Sequence, residues 1–297
     1  MSKKKVNTNA NAKISLVVGT TPERYKLYDT RLMKPICHQE YKNGILSGSM
    51  LIQNLDTVSL NKKKKLTYFV PNNIALLLSV SKKSLDTAKL TYNKNFLNPE
   101  FELDINNISG DKKLAMNNVS SLVCDYLESI QTSIVFGYTA LEAFINLSIP
   151  DDYIYTAEKS NKGIIESYDK KAIERWLPLK TKLDSVLTEV YQTKKVQNEK
   201  WWTLLLDLEN YRNDIIHQKS ISHTEFYKDY FKERIFKVCQ SVDTIIQFFH
   251  DAHANENKTN PIWPWTEGTS TLPINLSYNS SNFEVIGNMY EGIKKKL

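Results

Sequence analysis

No run in the 297-residue chain approaches the length of apolar residues that a membrane-spanning helix needs, so the sequence offers no membrane span. Its opening, "MSKKKVNTNANAK", is basic but leads into no apolar stretch, and so does not read as a secretory signal. Cysteine is scarce: Cys37, Cys124 and Cys239 are odd in number, far apart and without CxxC spacing. That argues against a disulfide framework and against structural zinc, and it suits a reducing, cytoplasmic setting. Internal repeats and long low-complexity segments are also missing. Arginine is rare, five residues within a Lys+Arg total of 39, so each arginine stands out.

What is present begins with charge. The formal net charge is +6, which favours polyanionic partners. Lysine supplies most of it, and Asn, Ile and Tyr are abundant as well, the pattern that an AT-rich coding sequence produces. The charge is therefore weak support for nucleic-acid binding.

The hydrophobic pattern changes period along the chain. Residues 1–112 read as β: "AKISLVVG" (12–19), "SMLIQNLDTV" (49–58), "LTYFV" (66–70), "IALLLSVS" (74–81) and "EFELDI" (100–105) are short and rich in branched residues. Asn, Lys, Pro and Gly clusters separate them. "NKKKKL" (61–66) reads as a solvated turn or a guard on an edge strand, with a phosphate-binding patch as the functional alternative. "NNISGDKK" (106–113) marks the boundary.

Beyond it the period is helical. Val123, Leu127, Ile130, Ile134, Leu141 and Ile145 recur at three- and four-residue steps. A second helical block covers 170–191, where Pro178 must bend or interrupt it. A third runs from about Glu199 through Ile216. The fourth starts near Thr224 and aligns Phe231, Ile235, Val238, Val242, Ile245 and Phe249. Four such helices with short connections predict a bundle over residues 113–255. The fold class is α+β, a mostly β N-terminal domain followed by an all-α bundle. Residues 256–297, with "NPIWPW", are too rich in proline and turn formers to continue it and predict an irregular tail packed on the bundle.

Candidate chemistry lies in "LENYRNDIIHQKS" (208–220), where a helix rich in Trp and Leu gathers Arg212, Asn213 and His217 near its end. On an ideal helix Asn213 and His217 share a face one turn apart, so the amide is placed to hydrogen-bond the imidazole and fix its tautomer. Arg212 stands about 140° round from His217, and only its long stem lets the guanidinium reach the same volume. Asp214 lies near the histidine side. The structural alternative makes Arg212 a helix-end cation and His217 a cap for the last carbonyls. A second polar pair, Glu142 and Asn146, sits within the apolar "GYTALEAFINLSIP" (137–150). A carboxylate there needs a cation if it is buried, and Arg212 is the natural partner. The alternative is a carboxylate on the wet edge of the helix.

These segments, "ALEAFIN" (140–146), "AIERWLPLKTKL" (172–183) and "YRNDIIHQKS" (211–220), resemble in order and spacing the HEPN superfamily over residues 114–255. Its members are four- or five-helix domains, and their ribonucleases carry an R-x(4–6)-H motif, often with a polar residue after the arginine. The resemblance implies a homodimer whose paired motifs meet in a cleft, and a metal-independent endoribonuclease of toxin–antitoxin, abortive-infection or CRISPR-associated defence. It matches Arg212 and His217 to the catalytic pair, Asn213 to the accessory polar position and Glu142 to a supporting acid, with Asn146 beside it. Some HEPN toxins carry a tyrosine two residues after the histidine that an antitoxin modifies. Lys219 stands there instead, which argues against that regulation. Other HEPN domains are non-catalytic nucleotide-binding or dimerisation modules, with the β half here free to act as a sensor.

Chemistry independent of the family leads the same way. Cleaving RNA without metal uses the 2′-OH as nucleophile, and it needs a base, an acid for the leaving 5′-oxygen and positive charge on the phosphate. A histidine does either proton task, and an arginine holds two non-bridging oxygens. One motif has one histidine, so a two-fold dimer is expected to complete the set. The expected partner is single-stranded RNA or a tRNA loop, with a possible antitoxin or phage-derived trigger, no membrane and no cofactor.

Overall fold

The computed structural model describes residues 14–18, 25, 28–100, 104–159, 164–217, 224–255 and 272–275. It has an α+β layout that divides into two units: residues 1–28, 33–70 and 270–297, and residues 29–32 and 71–269.

The first unit is a sheet built on one long strand. β1 (Ile14–Val18), β2 (Ile36–Lys42), β3 (Ile45–Asn61) and β4 (Lys64–Phe69) are joined by the short β7 (Ile274–Asn275). β3 is the spine: it pairs antiparallel with β2 over Ile45–Ile52, with β1 over Leu51–Leu55 and with β4 over Leu55–Asn61. Asn43 and Gly44, with φ of 53° and 78°, make the tight turn between β2 and β3, the positive-φ Asn-Gly step a two-residue hairpin requires. The strands β1, β3 and β4 fall on "AKISLVVG", "SMLIQNLDTV" and "LTYFV" as expected. β2 was not foreseen, because "ICHQEYK" alternates too weakly to stand out. The tail was expected on the bundle, yet its described part, Leu272–Asn275, lies in the sheet unit: Cys37 and His38 of β2 pair in parallel with Ile274 and Asn275. Trp263 and Trp265 lie outside the described residues.

Helices begin at Asn73, not after 112. "IALLLSVS" is the start of α1 (Asn73–Thr91) and not a strand. Pro71 and Asn72 open it, and the Asn72 amide oxygen caps it by accepting from the Ala75 N–H at 3.0 Å. An apolar run of eight residues is ambiguous between buried strand and buried helix. Carried on through "KKSLDTAKLT", it places Ile74, Ala75, Ser81, Leu85 and Ala88 on one buried stripe. The division of the chain therefore falls at Val70–Pro71. Of "EFELDI", residues 101–103 lie outside the described residues, and Asp104–Asn107 is a turn closed by Asn107 N–H to Asp104 O at 3.0 Å. "NNISGDKK" marks a helix start: Asp111 caps α2 (Lys112–Ser148) by accepting from Leu114 N–H.

α2 is the axis of the second unit. Val123 and Leu127 are half-buried, and from Ile130 on the stripe Ile134, Leu141 and Ile145 is fully buried. A hairpin the sequence reading missed, β5 (Ile154–Lys159) with β6 (Ile164–Asp169), stacks Tyr155 on its cross-strand partner Tyr168. Pro178 breaks the next block as expected, between α3 (Lys170–Trp176) and α4 (Leu179–Thr181). The chain then widens to a π-helical turn, Lys182–Leu187, before α5 (Thr188–Val190). α6 (Trp202–Ile216) carries the motif. A 3₁₀ segment, Glu225–Phe231, precedes α7 (Arg234–Asn255), so the last helix starts later than Thr224. Of its expected stripe Ile235, Val238, Val242, Ile245 and Phe249 are all buried, whereas Phe231 falls before the helix, at the end of the 3₁₀ segment, and is half-buried. Among the described residues no helix is long and apolar enough to cross a membrane.

The three long helices meet closely at Gly137. A methyl group there would stand 3.0 Å from Ser81 Oγ of α1 and 3.3 Å from Val242 Cγ2 of α7. Ser81 also donates to Ser133 O at 2.8 Å. Gly137→Val has no room, and overpacking of this kind costs about 1–3 kcal/mol. Urea denaturation of the variant should show that loss, with the transition slope unchanged.

Candidate functional site

α6 buries Trp202, Leu205 and Leu208 and ends at His217, whose N–H bonds Asn213 O at 2.9 Å. Tyr211 packs edge-on against Tyr230 at 5.3 Å between centroids. The segment after the motif is tied down by two tyrosine hydroxyls, Tyr92 to Phe231 O at 3.0 Å and Tyr126 to Tyr230 O at 2.5 Å. Asp214 is half-buried, and its charge bears on Tyr230 and Tyr211, helping burial to hold both phenols protonated. It faces the aromatic cluster as well as the motif.

Arg212, Asn213 and His217 come together. Arg212 Nη1 donates to Asn213 Oδ1 at 3.0 Å and lies 3.4 Å from His217 Nε2. The guanidinium thus reaches the histidine's volume along its stem, as the geometry required. The expected amide–imidazole bond is replaced: Asn213 holds the arginine, and the arginine meets the ring. A guanidinium only donates, so this contact is a hydrogen bond only in the tautomer whose Nε2 carries the lone pair. Asn213 and His217 are exposed, whereas Arg212 is half-buried.

The half-buried part of Arg212 has a support that the sequence reading missed. Its Cζ lies 5.1 Å from the ring centroid of Tyr138 on α2, a cation–π contact. Tyr138 is 6% exposed, and its hydroxyl donates to Glu209 Oε1 at 3.3 Å. Burial, with Glu209 and Glu142 nearby, pushes its pKa well above the usual phenol value, against the opposing pull of Arg212. It therefore stays a neutral ring under the cation. The signals were in the sequence: Tyr138 is one turn from Glu142, and Glu209 one turn from Arg212.

Glu142 and Asn146 do not join this cluster in the way expected. Among the described residues no ion pair links Glu142 to Arg212. Glu142 is half-buried and acts on Tyr138 on one side and on Lys182 on the other. Asn146 belongs to Lys182, whose Nζ donates to Asn146 Oδ1 at 3.0 Å and to Glu174 O at 2.8 Å. Lys182 is 2% exposed at the head of the π-helical turn, and burial lowers its pKa against the raising effect of Glu142 and Glu174. The buried cation that the apolar helix called for is this lysine. It was hidden because it lies past Pro178, where the helical phase is reset.

Of the other histidines, His250 has Nδ1 3.4 Å from Asp251 Oδ1, and His223 lies outside the described residues. No group of three or more His, Cys, Asp and Glu converges as a metal site among the described residues. Comparison with family models, with curated proteins and with solved structures finds no match for this chain.

Lys182 carries a pH prediction. The folded state holds its proton less tightly than the unfolded chain, whose lysines titrate near about 10.4. Between the lowered pKa and that value unfolding takes up a proton, so stability rises with pH, by at most about 1.4 kcal/mol per pH unit. Lys182→Met should lose this rise in denaturation curves taken from neutral pH upwards. Lys34, lowered by burial to about 8, contributes equally to both proteins and cancels in the difference.

Proposed function

We infer that this chain is a metal-independent endoribonuclease of the HEPN type, acting as a toxin or anti-phage defence effector on single-stranded RNA or a tRNA loop. The observation that carries the reading is the Arg212 guanidinium set between Asn213 Oδ1 and His217 Nε2 at an exposed helix end.

In the reaction a base removes the 2′-OH proton, the 2′-oxygen attacks the adjacent phosphorus, and the 5′-oxygen leaves with a proton from an acid. The products are a 2′,3′-cyclic phosphate and a 5′-hydroxyl. His217, with its Nε2 lone pair, serves as base. Arg212 lets go of that lone pair and takes the non-bridging oxygens. Asn213 and Tyr138 hold the guanidinium in place.

A second His217 from a two-fold partner supplies the acid. Exposed apolar side chains favour such a partner: Phe136 and Leu147 stand about 20° apart on the α2 helical wheel, and Ile216 lies beside His217. Their exposures are 37%, 53% and 49%.

One observation favours a second reading. The stacking of Arg212 on Tyr138 serves packing equally well, as in a non-catalytic HEPN module that binds nucleotide or dimerises, with the β unit as sensor.

Purified protein incubated with total RNA in EDTA should cut it, leaving cyclic phosphate ends. His217→Ala and Arg212→Ala should each lower cleavage by about 100-fold or more, as loss of an acid–base or charge-stabilising group does. Cleavage abolished by EDTA, or a stable monomer by ultracentrifugation that still cuts, would overturn the reading. Binding of nucleotide without cleavage would establish the second.

A further inference from the structure

The four consecutive lysines 62–65 have no part in the reaction, and their setting in the sheet unit is unusual. β3 and β4 continue beyond the sheet as a two-stranded ribbon in which every residue from Asp56 to Tyr68 is exposed. An isolated two-stranded ribbon is marginal in water, and nothing among its own residues covers either face.

The ribbon is nevertheless well defined at its tip. Asn61 Oδ1 accepts from the N–H groups of both Lys63 and Lys64, at 3.0 and 2.9 Å, and this Asx turn fixes the chain reversal. Lys62 and Lys63 form the turn, and Lys64 and Lys65 open β4, so four cations crown the end.

The two faces differ. Val58 pairs with Leu66 and Asp56 with Tyr68, so one face is apolar apart from the Tyr68 hydroxyl, which donates to the Asp56 carboxylate at 3.3 Å at the base of the ribbon; Leu60 stands at a β-bulge toward the tip. The other carries hydroxyls, with Thr57 and Thr67 hydrogen-bonded across the strands at 2.9 Å.

We propose that this ribbon is an RNA-binding arm: the lysine tip takes the phosphates of a single strand, and Val58, Leu60, Leu66 and Tyr68 take its unstacked bases. Charge complementarity between four adjacent cations and a phosphodiester chain selects a nucleic acid. Exposed apolar and phenol surface selects unstacked bases, as on single-strand platforms. A-form duplex is disfavoured because its major groove is too narrow to admit protein side chains. A lipid surface is disfavoured by the order of residues, since tip-first insertion would drive the lysines deepest, ahead of the apolar side chains. The choice of RNA over single-stranded DNA rests on the nuclease reading; the arm itself does not.

The test uses the full chain carrying His217→Ala, so that binding is read apart from cleavage. Fluorescence anisotropy with a short unstructured RNA should give affinity that falls with salt. Replacing Lys62, Lys63, Lys64 and Lys65 by Gln should weaken binding about tenfold or more and reduce the log–log salt slope by about 2 to 3, at roughly 0.7 per phosphate contact. Leu66→Ser with Tyr68→Ser should weaken binding with the slope retained. Far-UV circular dichroism checks that both variants fold.

Unchanged affinity and slope in the lysine variant overturn the proposal. So does tighter binding to duplex DNA, to single-stranded DNA, or to phosphatidylserine-containing vesicles than to the RNA. RNA held through the arm but never cut by the wild-type chain overturns the nuclease reading and upholds this one.

Discussion

The packing of one guanidinium on one buried phenol sets the rest of the candidate site. Arg212 leaves α6 on a different face from His217, and an arginine so placed would ordinarily extend into water. Tyr138, neutral and nearly enclosed, gives it a flat apolar floor, and Glu209 fixes the ring through its hydroxyl. With the guanidinium carbon over that ring, Nη1 meets Asn213 and His217 at the helix end. The position of the histidine's partner is therefore decided by α2, and α2 is held against α1 and α7 by the close approach at Gly137. A change in the core at that crossing moves the floor on which the arginine rests.

The helical frame was legible because long apolar stripes leave little choice. α2, the break at Pro178, and the buried face of α7 all follow from three- and four-residue spacing or from a missing N–H. Short runs were not so constrained. "IALLLSVS" fits a strand as well as a helix until the following residues extend the stripe and Asn72 is seen as its cap. The parallel pairing of Ile274 with Cys37 joins residues more than two hundred positions apart, which no local pattern announces. β5 and β6 are a local hairpin, but each strand is only six residues long and the pair lies between two helices.

The site was legible to the extent that it is local. Arg212, Asn213 and His217 sit on one helix within two turns, so helix geometry alone brought them together. What lay across helices was lost: Tyr138 beneath the arginine, and Lys182 rather than Arg212 beside Asn146. A sequence shows that a buried acid needs a cation, but which cation arrives depends on helix phase, and Pro178 resets that phase before Lys182.

Two cationic clusters thus border one helix and differ in what holds them. Lys182 spends its hydrogen bonds on Asn146 Oδ1 and Glu174 O inside the protein, and burial weakens its hold on the proton. Such a group stabilises helix register and has little left for a ligand. Arg212 is held by the face of its guanidinium over the Tyr138 ring, a contact that leaves the in-plane N–H donors free of the ring, and one nitrogen, Nη1, makes the bonds to Asn213 and His217. A five-donor fork with one nitrogen anchored retains the paired N–H groups that match two phosphate oxygens. Glu142 acts on Lys182 and on the Tyr138 phenol, and forms no ion pair with Arg212 among the described residues. That asymmetry, with one cation hydrogen-bonded in the core and one held by a ring face at a half-buried helix end, is why the anion is assigned to Arg212 and not to Lys182.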